Sequence, residues 1–155
     1  MGNVATRLEG LGIVLPPPVP APSDHVSFVQ TGQLVFLSGH GPLDEHREPL
    51  YKGRVGAELN EADGHAAARL SALNVLATLD AELGDLDRVR RVVRLTGYVH
   101  SAPGFQRQPW VLNGASEVFT EVFGEDRGRH VRTSVGVFGL PLGMACALET
   151  VFEVA

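Results

Sequence analysis

A row of polar side chains near the end of the chain could carry chemistry. Residues 129–153 read as two strands joined at Leu140-Pro141. Successive side chains of a strand point to opposite faces of its sheet, so His130, Arg132 and Ser134 share one face of the first strand. The other face carries only apolar or β-branched residues: Val131, Thr133, Val135 and Val137. One face therefore offers an imidazole, a guanidinium and a hydroxyl in a row.

Arg132 is the central residue of this row, and two interpretations of it stay open. A guanidinium is planar and always charged, and its fork of N–H groups matches the two oxygens of a carboxylate. Arg132 could therefore hold the carboxylate of a ligand. Alternatively, it forms a structural ion pair with Glu149 on the second strand or with another acid.

Three further segments accompany this pattern in a recognisable order. The sequence from Arg132 to Pro141, RTSVGVFGLP, precedes an acid-bearing strand and resembles the C-terminal signature of the YjgF/RidA family. The segment from Thr31 to Gly39, TGQLVFLSG, then a long helix, then a second helix with Asn113, follow that family's order. The resemblance covers about residues 20–154. It implies a chorismate-mutase-like α+β fold, in which a mixed β-sheet packs on two α-helices, and a homotrimer with ligand clefts between subunits.

The resemblance also implies an activity, the hydrolysis of a reactive enamine or imine to a 2-oxo acid and ammonia, without a cofactor. An imine is already electrophilic, so the site has only to hold the substrate carboxylate, orient water and move protons. Arg132 matches the family arginine that grips the carboxylate, and Glu149 or His25 would transfer protons. His130 and Ser134 share the face of Arg132 and are expected to contact this small carboxylate ligand.

Other expected ligand contacts come from elsewhere in the chain. Ser38 and Gly39 match the Ser-Gly pair that lines the family's cleft. Asn113 matches an asparagine of the second helix, but that alignment requires an insertion of about one helical turn, roughly three residues, so Ser116 is its rival.

Three positions depart from the family's pattern. His25 stands where deaminases of the family have tyrosine, and Ser134 stands where many members have cysteine. Ala147 occupies the position of the glutamate that orients water, if the Leu-Pro loop keeps its length. Glu149 lies on the same face about 6.7 Å further along the strand. A loop longer by two residues would bring Glu149 into register.

These departures leave other functions to consider. The first alternative is a non-catalytic trimer that binds small carboxylate metabolites in its clefts. The second is ribonuclease activity or inhibition of translation, which some family members are said to have. A net charge of −5 argues against a nucleic-acid partner, because binding phosphates requires a basic surface.

Length and composition indicate one folded domain. We expect a lead-in segment at residues 1–22 and a single domain at residues 23–155 of the 155-residue chain. A single cysteine excludes an internal disulfide and predicts a cytoplasmic location. Neither a metal-binding spacing of histidines nor an apolar run of the ~18 residues needed for a membrane span occurs, so no metal and no membrane partner are expected.

The elements that must position these residues can be predicted from the periodicity of apolar residues and from the residues that begin and end helices and strands. A hairpin is predicted at 25–30 and 33–38, a strand at 90–100, and a second helix from Pro103 to Gly124. The clearest helix is predicted at Glu61–Leu83, between a capping Asn60 and a terminating Gly84. Its expected inner stripe consists of Ala62, Ala66, Leu70, Leu73 and Ala77, widened by Leu76 and Leu79.

Overall fold

A five-stranded mixed β-sheet carries two long helices on one of its faces. The computed structural model describes residues 3–155. In chain order the elements are α1 (Asn3–Gly10), β1 (Phe28–Thr31), β2 (Leu34–His40), α2 (Glu61–Leu83), β3 (Val89–His100), α3 (Gln108–Phe123), α4 (Glu125–Gly128), β4 (Val131–Val137) and β5 (Cys146–Val154). The predicted order of hairpin, helix, strand, helix and two strands is confirmed, as is the α+β class.

The sheet has the strand order β1-β2-β5-β3-β4. Strands β3 and β4 run parallel, and the other neighbouring pairs are antiparallel. Parallel neighbours need a long crossover connection, which α3 and α4 provide. Strand β4, which carries Arg132, comes last in the strand order and therefore lies at one edge of the sheet.

Helix α2 has the predicted bounds because its caps are local. The Asn60 side chain accepts from the backbone N–H of Asp63, the Asp63 carboxylate accepts from the backbone of Asn60, and Gly84 ends the helix at φ 76°. The predicted inner stripe is largely wrong, since Ala62 is exposed and Ala66, Leu70 and Leu73 are half-buried. The fully buried apolar residues are Ala67, Ala68, Ala72, Val75, Leu76 and Leu79. Small and apolar residues occupy most positions of this helix, so several different sets of residues at helical spacing could form its buried face.

Helix α3 begins later than predicted. The chain turns at residues 103–107, where the N–H of Phe105 donates to the carbonyl of Ala102, and the helix starts at Gln108 with Pro109 in its first turn. Its predicted end at Gly124 is confirmed. The inner residues Val111, Ala115, Val118, Phe119 and Val122 are all fully buried.

Irregular pairing in β3 changes which residues are buried. Val92 is fully buried with Leu95, whereas Val93 is half-buried. A shift of register between Val92 and Arg94 interrupts the alternation of faces.

The sheet face opposite the helices is open in the described chain and carries apolar side chains. Val29 is 51% exposed, Phe36 44% and Val131 56%. In β4, the side chains of Val131, Thr133, Val135 and Val137 therefore point to this open face. The side chains of the polar row, His130, Arg132 and Ser134, point toward the helices. None of the helices in the described part of the chain is long and apolar enough to cross a membrane.

Candidate functional site

Arg132 extends from β4 toward α3, where its guanidinium meets three neutral acceptors. One terminal nitrogen donates to Asn113 Oδ1 at 2.9 Å and to Ser116 Oγ at 3.1 Å, and the other donates to the carbonyl oxygen of Pro109 at 3.2 Å. Positions 109, 113 and 116 have the i, i+4, i+7 spacing of one helix face. Asn113 and Ser116, treated as rivals from the sequence, both contact Arg132.

The ion pair between Arg132 and Glu149 does not form. Glu149 is exposed on the open face of the sheet, two strands from β4, so the two side chains point away from each other. Within residues 3–155, no carboxylate lies within 4.0 Å of the Arg132 guanidinium. Burial lowers the pKa of Arg132 below its usual value, but an arginine remains protonated at neutral pH. Arg132 is thus an oriented cation whose charge is not neutralised.

His130 supports this arrangement through Ser116. Burial, and secondarily the charge of Arg132, lower the pKa of His130, which favours the neutral ring. Its Nδ1 lies 2.7 Å from the carbonyl oxygen of Gly128 and therefore carries the proton. Nε2 is then the acceptor for the Ser116 hydroxyl, 2.9 Å away. Ser116 consequently donates to His130 and accepts from Arg132, which fixes the direction of the chain of hydrogen bonds.

The remaining residue of the polar row, Ser134, pairs with Gly97 of β3 and is half-buried. It lies on the face of Arg132, as the alternation predicts.

A second group of predicted residues lies around an irregularity in β2. Leu37 pairs with Thr150 and His40 pairs with Leu148, so Ser38 and Gly39 together stand opposite Glu149 on β5.

Glu149, and not Ala147, is therefore the residue of β5 beside the Ser-Gly pair. Ala147 lies on the same face, opposite Tyr98, whereas Glu149 lies opposite Thr96.

His25 and a recess complete this second group. His25 is exposed, and its Nδ1 lies 3.2 Å from Ser23 Oγ. Together with Ser38 and Gly39 it lines a recess of about 190 Å³. The Ser38 hydroxyl donates to the carbonyl of Val26, which ties β2 to the chain before β1.

One chain does not bring the two groups together. Three strand spacings separate β4 from β2, which amounts to about 14 Å. Arg132 also points to the helix side, while Glu149 points to the open side. A carboxylate held by Arg132 is therefore out of reach of the Ser38, Gly39 and Glu149 of the same chain.

His40 is a site residue that periodicity does not reveal. Its ring is buried, with Nδ1 2.6 Å from the Ser38 carbonyl oxygen and Nε2 2.8 Å from Thr78 Oγ1. Burial lowers its pKa, so the ring is neutral at pH 7 and holds the backbone of the Ser-Gly pair. The extra residue in β2 turns His40 inward, and strand alternation alone could not predict this.

Cys146 is not a nucleophile in this structure. It is fully buried, its sulfur lies 3.5 Å from Ser71 Oγ, and burial raises the pKa of the thiol to about 12. It behaves as a buried small apolar residue. Residues 3–155 contain no cluster of three His, Cys, Asp or Glu side chains that could hold a metal ion.

Known proteins resemble this chain over nearly its whole length. Residues 5–154 match the family described as "YjgF/chorismate mutase-like, putative endoribonuclease". Protein TCP17 of Trypanosoma cruzi is 43% identical over 98% of this chain and 94% of its own length. Two solved structures superpose closely. Atu1372 of Agrobacterium tumefaciens, described as of unknown function, is 36% identical, with TM-score 0.90 over 99% of this chain and 93% of that one. A "putative endoribonuclease" of Shewanella oneidensis is 30% identical, with TM-score 0.93 over 99% and 100%.

Proposed function

Because the chain belongs to the YjgF/RidA family, we propose that it is a deaminase that hydrolyses reactive 2-imino acids to 2-oxo acids and ammonia. The observation that carries this proposal is the state of Arg132. Its guanidinium is oriented by Asn113, Ser116 and the Pro109 carbonyl, which are all neutral. A structural ion pair would have neutralised the charge, whereas this arrangement leaves it available to a ligand carboxylate.

The proposed site is shared between copies of the chain in a homotrimer. Arg132 and Asn113 of one copy would face Ser38, Gly39 and Glu149 of the next. Two features support this. The two groups lie about 14 Å apart in one chain, by strand spacing. Strand β4 lies at the edge of the sheet, where its outer backbone groups are free to meet another copy.

The proposed chemistry needs only positioning and proton transfer. Water adds to C2 of the iminium, R–C(=NH₂⁺)–COO⁻, and Glu149 accepts the proton that water loses. Glu149 then returns this proton to the nitrogen and accepts the proton of the new hydroxyl group as the C–N bond breaks. The 2-oxo acid and ammonia leave, and ammonia takes up this second proton to become an ammonium ion. His25 is the alternative group for proton transfer. The oxidation state of C2 does not change, so neither an oxidant nor a cofactor is consumed.

The experiment that tests this function measures ammonia release from 2-aminoacrylate, which an auxiliary enzyme generates in the assay. Wild type should accelerate release over the spontaneous rate, and Arg132→Ala should abolish the acceleration. Arg129→Ala is the matched control, because Arg129 precedes the same strand but is exposed and paired with Glu125. Equal rates with and without wild-type protein would refute the deaminase.

A non-catalytic trimer that binds small carboxylates is the second candidate. It is favoured by the exposure of His25 and Glu149, neither of which contacts Arg132 in the described chain. Binding of a 2-oxo acid that depends on Arg132, without faster ammonia release, would support it over the deaminase.

Ribonuclease activity is the third and disfavoured candidate. The family description includes the word endoribonuclease, but the net charge is −5. We expect no RNA cleavage by chromatographically clean protein. Cleavage that a single substitution in the cleft abolishes would restore this candidate.

A further inference from the structure

A recess lies beside Ser38 and Gly39, beneath an extended segment that we call the proline strap (residues 16–22). The strap contains five prolines, and its residues Val19 to Pro22 form one wall of the recess. Leu43 and Met144 contribute to the other walls. Apolar residues thus form the largest group in the lining, which also includes the polar side chains of His25, Ser27, Ser38, His40, Arg47 and Asn74.

Neighbouring side chains hold these walls in place. Arg47 donates to the Pro20 carbonyl oxygen at 2.7 Å and fastens the strap to the body of the protein. Its φ of 65° is unusual for a residue with a side chain, so the local backbone is strained where the strap is held. On the other side, the Asn74 amide donates to the carbonyl oxygens of Gly41 and Leu43, each at 2.9 Å.

Rigid walls favour selection by size. Proline restricts φ, so the strap has little freedom to collapse into the recess or to leave it. A preformed pocket binds without the entropic cost of ordering its walls. The volume is about 190 Å³, and an apolar cavity of about 150 Å³ is large enough for benzene. The recess therefore has room for a branched or aromatic side chain, and a methyl group would leave most of it empty.

We infer that this recess receives the side chain of the substrate, and that the preferred substrates are 2-imino acids with a bulky apolar side chain. This inference rests on the proposed function, because the carboxylate must be held by Arg132 of a neighbouring copy for the side chain to enter here. A methylene group in an apolar pocket is worth about tenfold or more in selectivity. Phenylpyruvate should therefore bind at least ten times more tightly than pyruvate.

The test uses calorimetric titration of the full chain with these two 2-oxo acids, which are stable analogues of the reaction products. Ala21→Phe places a ring from the strap into the recess, and should weaken phenylpyruvate binding at least tenfold and pyruvate binding much less. Ala21→Leu should have a smaller effect in the same direction. Val14→Phe is the control, because Val14 precedes the strap, is 89% exposed and does not line the recess.

The outcomes separate this inference from the function on which it rests. If wild type binds neither acid, the proposed carboxylate site is wrong and both proposals are refuted. If wild type binds both acids with equal affinity, only the inference about the recess is refuted. The same conclusion follows if Ala21→Phe and Ala21→Leu, both shown to be folded by thermal melts, weaken the binding of the two acids equally or not at all.

Discussion

At the scale of the residue, the neutral surroundings of Arg132 support its proposed role in binding a carboxylate. An arginine that stabilises a fold through an ion pair has its charge cancelled by the partner, and a bound anion then gains little from it. Arg132 instead has amide, hydroxyl and carbonyl oxygens around it. These acceptors orient the guanidinium and leave its charge uncancelled.

Removal of Arg132 should therefore affect binding more than stability. We expect Arg132→Ala to cost about 2–4 kcal/mol of 2-oxo acid binding, since charge-assisted hydrogen bonds in a partly buried cleft are strong. Arg132→Lys should recover only part, because an ammonium lacks the planar fork. Calorimetric titration and thermal melts of wild type and both variants would measure this. Unchanged affinity with a large fall in melting temperature would show that Arg132 is structural.

Two histidines, the buried His40 and the half-buried His130, should make stability depend on pH. Burial lowers the pKa of His40 and of His130 below 6.5 in the folded chain. As pH falls below about 6.5 the unfolded chain takes up protons that the folded chain does not, so the free energy of unfolding decreases. The decrease continues until each folded-state pKa is passed, and it amounts to at most about 1.4 kcal/mol per pH unit per histidine.

Urea unfolding of wild type and His40→Gln at pH 7.0, 6.5, 6.0 and 5.5 would test this dependence. The variant should lose less stability than wild type between pH 6.5 and 5.5. His46→Gln, which replaces a histidine on an exposed loop, is the surface control. An identical loss in wild type and His40→Gln would contradict the role given to His40.

At the scale of the element, small residues decide how closely α2 and α3 pack. Gly114 of α3 faces the backbone of α2, and a Cβ added there would lie 2.1 Å from the carbonyl oxygen of His65. Backbone atoms in the middle of a helix cannot move aside as the end of a side chain can. The close approach of these helices keeps α3, and with it Asn113 and Ser116, at a fixed distance from β4.

Gly114→Ala should therefore destabilise the fold, although alanine is the better helix former. Alanine gains about 1 kcal/mol of helix propensity, but overpacking against a rigid neighbour costs about 1–3 kcal/mol. The net loss should appear as a lower midpoint in urea unfolding. Gly139→Ala is the matched control, because nothing lies within 4 Å of the added carbon. Equal or greater stability of Gly114→Ala would mean that the two helices can separate without cost.

At the scale of the whole molecule, the apolar side chains on the open face of the sheet are relevant to the association of several copies of the chain. A row of paired residues crosses it in the order Val29, Phe36, Val151, Arg94 and Val131. Four of these five side chains are apolar. Exposed apolar residues in such a row are common on surfaces that contact another protein.

Light scattering at micromolar concentration should give the mass of a trimer. Val131→Asp should shift the mass toward the monomer of 16.6 kDa, because it places a charge on the apolar face while Val131 is exposed in the single chain. Val14→Asp, a charge at an exposed position of the lead-in segment, should not. A monomeric mass for wild type would refute both the proposed trimer and the proposed site shared between copies.

The sequence by itself determined what depends on neighbours along the chain. The bounds of α2 follow from hydrogen bonds at Asn60 and from the backbone freedom of Gly84, which lie within a few residues of the helix ends. The order of the elements and the face shared by His130, Arg132 and Ser134 follow from local periodicity. The Arg132 to Pro141 segment was sufficient for recognition of the family. The boundary of the lead-in at residue 22 and the ligand contacts stay predictions.

Only the tertiary structure decided what depends on residues distant in sequence. It placed Arg132 against α3 and away from Glu149, because β3 pairs between β4 and β5 and the two side chains fall on opposite faces. It placed Glu149 beside Ser38 and Gly39, because two residues of β2 oppose one residue of β5. The buried face of α2 was likewise determined by its contacts with α3 and with the sheet. Pairing between residues from 37 to 119 positions apart in the chain sets these arrangements, and no local pattern of side chains contains it.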